Sequence, residues 1–210
     1  MVFRCCTVTL DPTFYAKNGG WIPFDVTELS IPCMKEFTEA LPAVLLSLEQ
    51  AEPCINDDSN LIKREFAGEE DMAKVRMLPL YSELEWFALR DKQAAKYLNL
   101  KKRDIFGAKV DSGERWGYIL WFREYKESTL AMLRLREPSE DAALRGLLRA
   151  AVAEAKRSGL QKVRIWSPSR RLQDVIGIRM ATRSGGLPSM LYLGEEQNVH
   201  WCLIERLGWC

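Results

Sequence analysis

The sequence predicts an α/β (α+β) protein, a mixed sheet flanked by helices, and three observations predict it. Between Thr129 and Ser167 the chain reads strand, helix, strand. Just upstream, Ile105 to Val110 and Arg115 to Tyr125 read as a hairpin around Asp111-Ser112-Gly113-Glu114. Downstream, a second helix is followed by two further strand-like stretches. A strand–helix–strand unit of this length closes as a parallel pair with a right-handed crossover, whereas a hairpin is antiparallel, so the sheet is mixed.

The central unit carries the clearest pattern. Leu130, Met132, Arg134 and Arg136 alternate with Ala131, Leu133 and Leu135, the period-two signature of a strand. Ser139 after Pro138 is a good helix cap, and Glu140 and Asp141 place negative charge in the first turn, where the macrodipole favours it. Leu144, Leu147, Leu148, Ala151, Val152 and Ala155 then fall on one helical face. Lys156 and Arg157 fill the last turn, Gly159 stops it, and Val163 and Ile165 alternate with Lys162 and Arg164 in the next strand. After Ser167-Pro168-Ser169, Leu172, Val175, Ile176 and Met180 predict a helix ending at Gly185-Gly186. Pro188 to Leu193 and Val199 to Ile204 complete the strands, and residues 82–210 are expected to share one sheet.

Upstream, Ser82 and Glu85 suit a capping box, and Tyr81 with Trp86 a hydrophobic staple, for a helix whose stripe is Leu84, Phe87, Ala88, Ala94, Ala95 and Leu98. Asp91 falls on that stripe. Its plain reading is a helix-edge carboxylate paired with a lysine or arginine; its functional reading is a carboxylate facing a cleft. Leu41, Val44, Leu45 and Leu48 suggest another helix, and Asn56-Asp57-Asp58-Ser59 a turn capping a further one. At the start, Arg4 to Leu10 is β-prone, Asp11 and Pro12 open a short helix bearing Phe14 and Tyr15, and Val26 to Ile31 is strand-like. This opening cannot bury a core alone; it either adds to the later sheet or is the remnant of a domain whose front is missing. The division expected is 1–32, 33–77 as a helical connector, and 78–210 as the main domain.

Composition narrows the function classes. The 210 residues carry a formal net charge of +1, which gives no footprint for nucleic acid or an anionic membrane. No apolar run reaches membrane-spanning length, and Met1 to Leu10 lacks the form of a signal peptide. The 6 cysteines (Cys5, Cys6, Cys33, Cys54, Cys202, Cys210) form no CxxC pair, and His200 is the 1 histidine. A zinc site or histidine-dependent triad is therefore not expected, and reduced thiols point to a cytoplasmic protein.

From Ser82 the order α-β-β-β-α-β-α-β-β resembles the GNAT acetyltransferase fold. Asp11-Pro12-Thr13-Phe14-Tyr15-Ala16-Lys17-Asn18-Gly19-Gly20-Trp21 is similar to a GNAT motif of the form FYxxxGF/W. That segment resembles the fungal lysine N-acetyltransferase-like family. So do the Leu78-Pro79 helix with Trp86 and Arg90-Asp91, the Trp116 to Trp121 strand, LLRAAVAEAKRSGLQKVRIWSP, and the terminal Trp209-Cys210. Against that family the chain reads as having an incomplete N-terminal GNAT fragment. The resemblance implies an acetyl-coenzyme A-dependent N-acetyltransferase acting on lysine or a related small-molecule amine, with acetyl-CoA as co-substrate and no metal. It places Tyr15 at the position of the thiolate-protonating tyrosine.

The residues themselves qualify that expectation. The sequence has no R/Q-x-x-G-x-G/A loop to cradle a pyrophosphate. The mouth of the central unit, Glu137-Pro138-Ser139-Glu140-Asp141, carries three carboxylates and no glycine for close backbone approach. The acids suit a structural helix cap better than a phosphate site. Arg134 and Arg136 are candidates to face a ligand, although alternating strand charges are ordinarily a solvated face. Asp91 and Arg134 are the substrate-binding candidates and Tyr15 the catalytic one. Cys5 and Cys6 have no base nearby in sequence. The alternative function is a catalytically inactive GNAT-like binding module or a truncated family member.

Overall fold

A computed structural model describes residues 3–8, 21–67, 74–111, 116–183, 187–192, 200–202 and 205–208. Its elements are β1 (Phe3–Val8), β2 (Ile22–Pro23), β3 (Thr27–Pro32), β4 (Val44–Ser47), α1 (Leu48–Phe66), β5 (Lys74–Val75), α2 (Tyr81–Tyr97), β6 (Ile105–Val110) and β7 (Gly117–Glu124). There follow β8 (Thr129–Arg136), α3 (Asp141–Arg157), β9 (Lys162–Trp166), α4 (Arg170–Ile176), β10 (Ala181–Thr182), β11 (Leu187–Tyr192) and β12 (His200–Trp201). A central seven-stranded sheet runs β10-β3-β9-β8-β7-β6-β4. Only β8 and β9 pair in parallel within it; the β6–β7–β8 meander and the remaining neighbours are antiparallel.

The mixed sheet and the βαβ unit are as the sequence reads. The membership of the sheet is not. Of the opening stretch, β3 adds to the central sheet: it pairs with β9, with Leu29 opposite Ile165. Strand β4 adds to β6 at the other edge. Both stretches set apart as 1–32 and 33–77 thus supply strands to the central sheet. Conversely, β11 leaves it and pairs with β1 and β2 in a second sheet, and β12 pairs in parallel with β5. The expectation of one sheet over 82–210 fails for these two strands. Strand partners are chosen by edge availability, which short-range periodicity does not encode.

Each face of the central sheet carries helices. On one, α3 and α4 cover Ile119, Trp121, Leu130, Met132, Val163 and Ile165, and the predicted α3 stripe from Leu144 to Ala155 is buried throughout. On the other, α1 and α2 cover Tyr118, Leu120, Phe122, Ala131 and Leu133. Alternation along β7 feeds both cores, as a strand buried on both faces requires.

Several helix boundaries differ from the sequence reading, each for a tertiary reason. Val44–Ser47 is a strand, because β6 offers an open edge, and Ser47 becomes the cap of α1 in a reciprocal box with Gln50. Asn56 to Ser59 lies inside α1 instead of forming a turn; Asp58 and Ser59 face inward, where buried partners override their helix-breaking preference. Helix α2 starts at Tyr81, with Glu83 reaching back to the Leu80 amide at 3.3 Å, and Trp86 is 49% exposed rather than stapled. Helix α3 has Glu140 as its cap residue, not Ser139. Helix α4 stops at Gly177, whose φ of 68° is the left-handed conformation that glycine takes most cheaply. The helix expected over Asp11 to Gly20, with Tyr15, lies outside the described residues. Among the described residues, no helix is long and apolar enough to cross a membrane.

One close approach fixes the α3 layer. A Cβ at Gly146 would come within 2.2 Å of the Leu41 carbonyl oxygen. Leu41 donates its own amide to Ala142 O at 2.9 Å, so this segment cannot retreat freely. Gly146→Ala is expected to lower stability by about 1–3 kcal/mol, the scale of overpacking, despite alanine's better helix propensity. Denaturant unfolding of the two proteins checks this; equal midpoints would contradict the contact.

Candidate functional site

Strands β8 and β9 pair only from Thr129 opposite Lys162 to Ala131 opposite Arg164. Beyond that they part, and β8 runs on to Arg136 while β9 runs on to Trp166. The wedge between them is the candidate site. Its walls include Met132, Leu135, Ile165, Trp166 and Leu172, and Glu205 and Arg206 line it as well. The free volume left is about 120 Å³, well below the roughly 300 Å³ at the lower end of small-molecule sites.

A β-bulge sets which side chains meet α1. Leu120 stands opposite Arg134, but Trp121 stands opposite Met132, so Leu133 is an extra residue on β8. Leu130 and Met132 point to the α3 face, while Leu133 joins the core under α1 and α2. After the bulge, Arg134 and Arg136 are level with Leu120 and Tyr118 and share their face. Sequence alternation had put both arginines on the face of Leu130 and Met132; the bulge reverses this.

Arg134 is therefore not on a solvated face. It is 4% exposed. Its guanidinium donates to Asp58 at 2.7 and 3.1 Å and also to Glu205. Asp58 is fully buried and accepts from the Tyr118 hydroxyl at 2.8 Å and from Arg136 at 3.4 Å. Arg136 also donates to Glu65 at 2.6 Å, which holds that carboxyl below its ordinary range. Burial pushes the Glu205 carboxyl up, against the opposing pull of Arg134.

Asp91 satisfies its plain reading, and more deeply than a helix edge would. It is 4% exposed and accepts from Arg123 Nη1 at 2.5 Å. Arg123 also donates to Glu154 at 2.7 Å, to the Ile105 carbonyl at 2.8 Å and to Ser158 at 3.1 Å. Arg103 closes the network with two bonds to Glu154 at 2.5 and 3.0 Å. Burial pushes the Asp91 carboxyl up although Arg123 opposes it. Burial also acts upward on Glu154, but its two arginines outweigh this and hold it below the usual value. The neighbouring Tyr125 phenol is pushed up to about 12 by burial and by the Asp91 charge. Asp91 also borders a cavity of about 510 Å³ between α2, the start of α1 and the 102–106 segment, with Phe106 and Ala88 in its walls. The two substrate-binding candidates thus sit in separate networks with no shared partner.

The mouth of the wedge is built for a cation. Arg171 of α4 donates to the carbonyls of Pro138 and Ser139 at 2.5 and 2.9 Å and to Asp141 at 2.7 Å. Glu140 makes no side-chain capping bond to α3. The first amides of α3 carry no side-chain cap, so what opposes a diphosphate at this turn is the charge of the Glu137 and Asp141 carboxylates gathered round Arg171. The residues present do not fit the phosphates of a coenzyme A thioester here. Among the described residues, no group of three or more His, Cys, Asp or Glu is placed to hold a metal ion. Burial raises the Cys33 and Cys54 thiols, which makes them poor nucleophiles.

Asp58, Arg123, Glu154, Arg171 and Glu205 were not singled out by sequence. Two of them left a signal. Glu154 lies on the apolar stripe of α3, three residues after Ala151, and Arg123 ends the otherwise uncharged run from Gly117 to Phe122. A charge on a buried face asks for a partner.

Residues 28–210 match the family model described as the LYC1 GNAT-like C-terminal domain. The fold is similar to that of a GCN5-related N-acetyltransferase from Kribbella flavida, at 10% identity and a TM-score of 0.50, covering 90% of this chain and 43% of that one. It is also similar to a GCN5-related N-acetyltransferase from Anabaena variabilis ATCC 29413, at 14% identity and a TM-score of 0.50, covering 90% and 45%. The chain spans less than half the length of these solved structures. No match to a curated protein is found.

Two outcomes test the buried charges, one in the Arg123 network and one at the start of α2. Arg123→Ala leaves Asp91 and Glu154 facing a buried gap and is expected to cost about 3–5 kcal/mol, read as a fall in Tm; an unchanged Tm would refute the network's role. Glu83, whose carboxyl burial pushes to about 7, gives a pH signature. Its folded value lies above the ordinary value of about 4.3, so its contribution is fully present below that pH and is lost as pH rises towards 7. Glu83→Gln keeps an acceptor for the Leu80 amide and cannot ionise. Its stability should gain on the parent's between those pH values, and parallel curves would contradict the assignment.

Proposed function

The chain belongs to the family of the LYC1 GNAT-like C-terminal domain, and on that premise we propose that it serves acetyl-CoA-dependent N-acetyl transfer to lysine or a related small amine. The described domain is, on this reading, the half that does not hold the coenzyme's phosphates. The observation that carries this division is the acidic mouth of the β8–β9 wedge, where the Glu137 and Asp141 carboxylates gather round Arg171 at the α3 N-terminus.

The chemistry then falls to the segment with the FYAKNGGW motif. Tyr15 matches the family position of the tyrosine that protonates the departing thiolate. A phenol near its ordinary pKa of about 10 is protonated at neutral pH and can donate that proton. Asp91 gives Oδ2 to Arg123, and the role we assign it towards the amine rests on Oδ1 and on its place at the edge of the cavity beneath α2. Arg134 is reassigned to holding the fold, since its donors go to Asp58 and Glu205. The closed mouth also favours a second reading, in which the chain is a GNAT-like binding module without transfer activity of its own.

Two measurements separate the readings. Calorimetry of the chain with acetyl-CoA should give an affinity weaker than micromolar, about −8 kcal/mol; micromolar or tighter binding would overturn the division of labour. In an acetyl-transfer assay with lysine, Tyr15→Phe should lower kcat by roughly 10²-fold or more, the scale of general-acid catalysis. An unchanged kcat would exclude the role of Tyr15. Absence of turnover in the parent chain would leave the binding-module reading.

A further inference from the structure

Beyond Ala131, strand β8 loses its partner β9 while still inside the protein. Its backbone groups on that edge must be satisfied by something else. Two of them are met from residues 205–208. Leu207 donates its amide to the Leu133 carbonyl at 3.0 Å, and Glu205 accepts from the Leu135 amide at 3.4 Å. We infer that residues 205–208 form a built-in strap that takes the open edge of β8 as a condition of folding, so that the wedge admits no extended ligand.

Four anchors carry this inference. Glu205 pairs with Arg134, whose guanidinium is buried and whose other buried partner, Asp58, is already shared with Tyr118 and Arg136. Arg206 donates to both carboxylate oxygens of Glu124 and lies over the rings of Phe122 and Trp166, at 5.0 and 5.2 Å from their centroids. Leu207 is 3% exposed and belongs to the core beneath α1 and α2. Gly208 packs so closely that a Cβ there would lie 2.0 Å from Met77 Cε. Lids and gates are drawn from segments with few buried contacts and low local stability. This segment has the opposite character: a core side chain, two ion pairs and a backbone bond within four residues.

The consequence goes beyond the acetyl-transfer reading and does not depend on it. A thioester arm or a peptide that needed the edge of β8 would have to displace Leu207 from the core and leave Arg134 short of a counter-charge. The wedge is then a seam of the fold in every folded state of this chain, whether or not the chain transfers acetyl groups.

Hydrogen exchange on the full chain tests the strap directly. The Leu207 amide should exchange at the rate of the slowest β7 amides, and that rate should not change on adding acetyl-CoA at about 1 mM, a concentration that would populate even weak sites. Exchange at Leu207 about 100-fold faster than in β7 would mark a separately opening gate and overturn the inference. So would faster exchange at Leu207 on adding acetyl-CoA. Glu205→Gln should speed exchange at Leu207 and in β7 together; loosening at Leu207 alone would contradict the coupling. If that variant does not fold, the two measurements on the parent chain still decide the matter. Transfer activity enters none of these readouts, so failure of the functional proposal is distinguishable from failure of this one.

Discussion

The Arg123 side chain has no solvent exposure, and it sits where both helical layers meet the sheet. It donates to Asp91 on α2, to Glu154 on α3, to the Ile105 carbonyl on β6 and to Ser158 after α3. Taking a guanidinium out of water costs several kcal/mol, which is recovered only when every donor is matched with good geometry. The pairing therefore constrains four elements at once. It fixes how far α2 and α3 slide along the sheet, and with them the wedge that β8 and β9 open at its other end.

A second buried guanidinium acts at that end. The bulge at Leu133 turns Arg134 towards α1, where Asp58 meets it, and the third donor goes to Glu205. The two arginines solve one problem in the same way. Each is a charge on a strand buried on both faces, and each uses acids from elements that would otherwise be free to shift. The difference lies in what the second one recruits. Its partner comes from the strap, so the electrostatic solution for Arg134 also closes the space that a splayed parallel pair leaves open. In this domain the GNAT-like architecture persists while Glu205 and Arg206 line the wedge.

Much of the fold was legible in the sequence. The α3 stripe, the parallel pairing of β8 with β9 and the meander before it follow from apolar spacing and from the length of the crossover. The failures were specific. The spacing of Met180 fits the helix that Gly177 ends, but the helical backbone does not continue to it. Propensity alone makes Asp58 a turn residue, and only Tyr118 and Arg134 show why a helix accepts it. Of the candidate site, Asp91 was found because it broke an apolar stripe, whereas Glu205 and Arg171 break no pattern.

What the sequence alone determined was therefore local and periodic: the α/β class, the order of the main elements, the apolar face of α3, and the acidic turn from Glu137 to Asp141. What the tertiary structure decided was the membership of the sheet, the face on which Arg134 emerges and the occupant of the wedge. The physical reason is range. Helix and strand periods act over a few residues, whereas Arg134 is 76 residues from Asp58 and 71 from Glu205. A one-residue bulge moves a side chain from one face of a sheet to the other without disturbing composition or pattern. Which charge meets which across that distance is settled by the packed core, where an unmatched ion is too costly to keep.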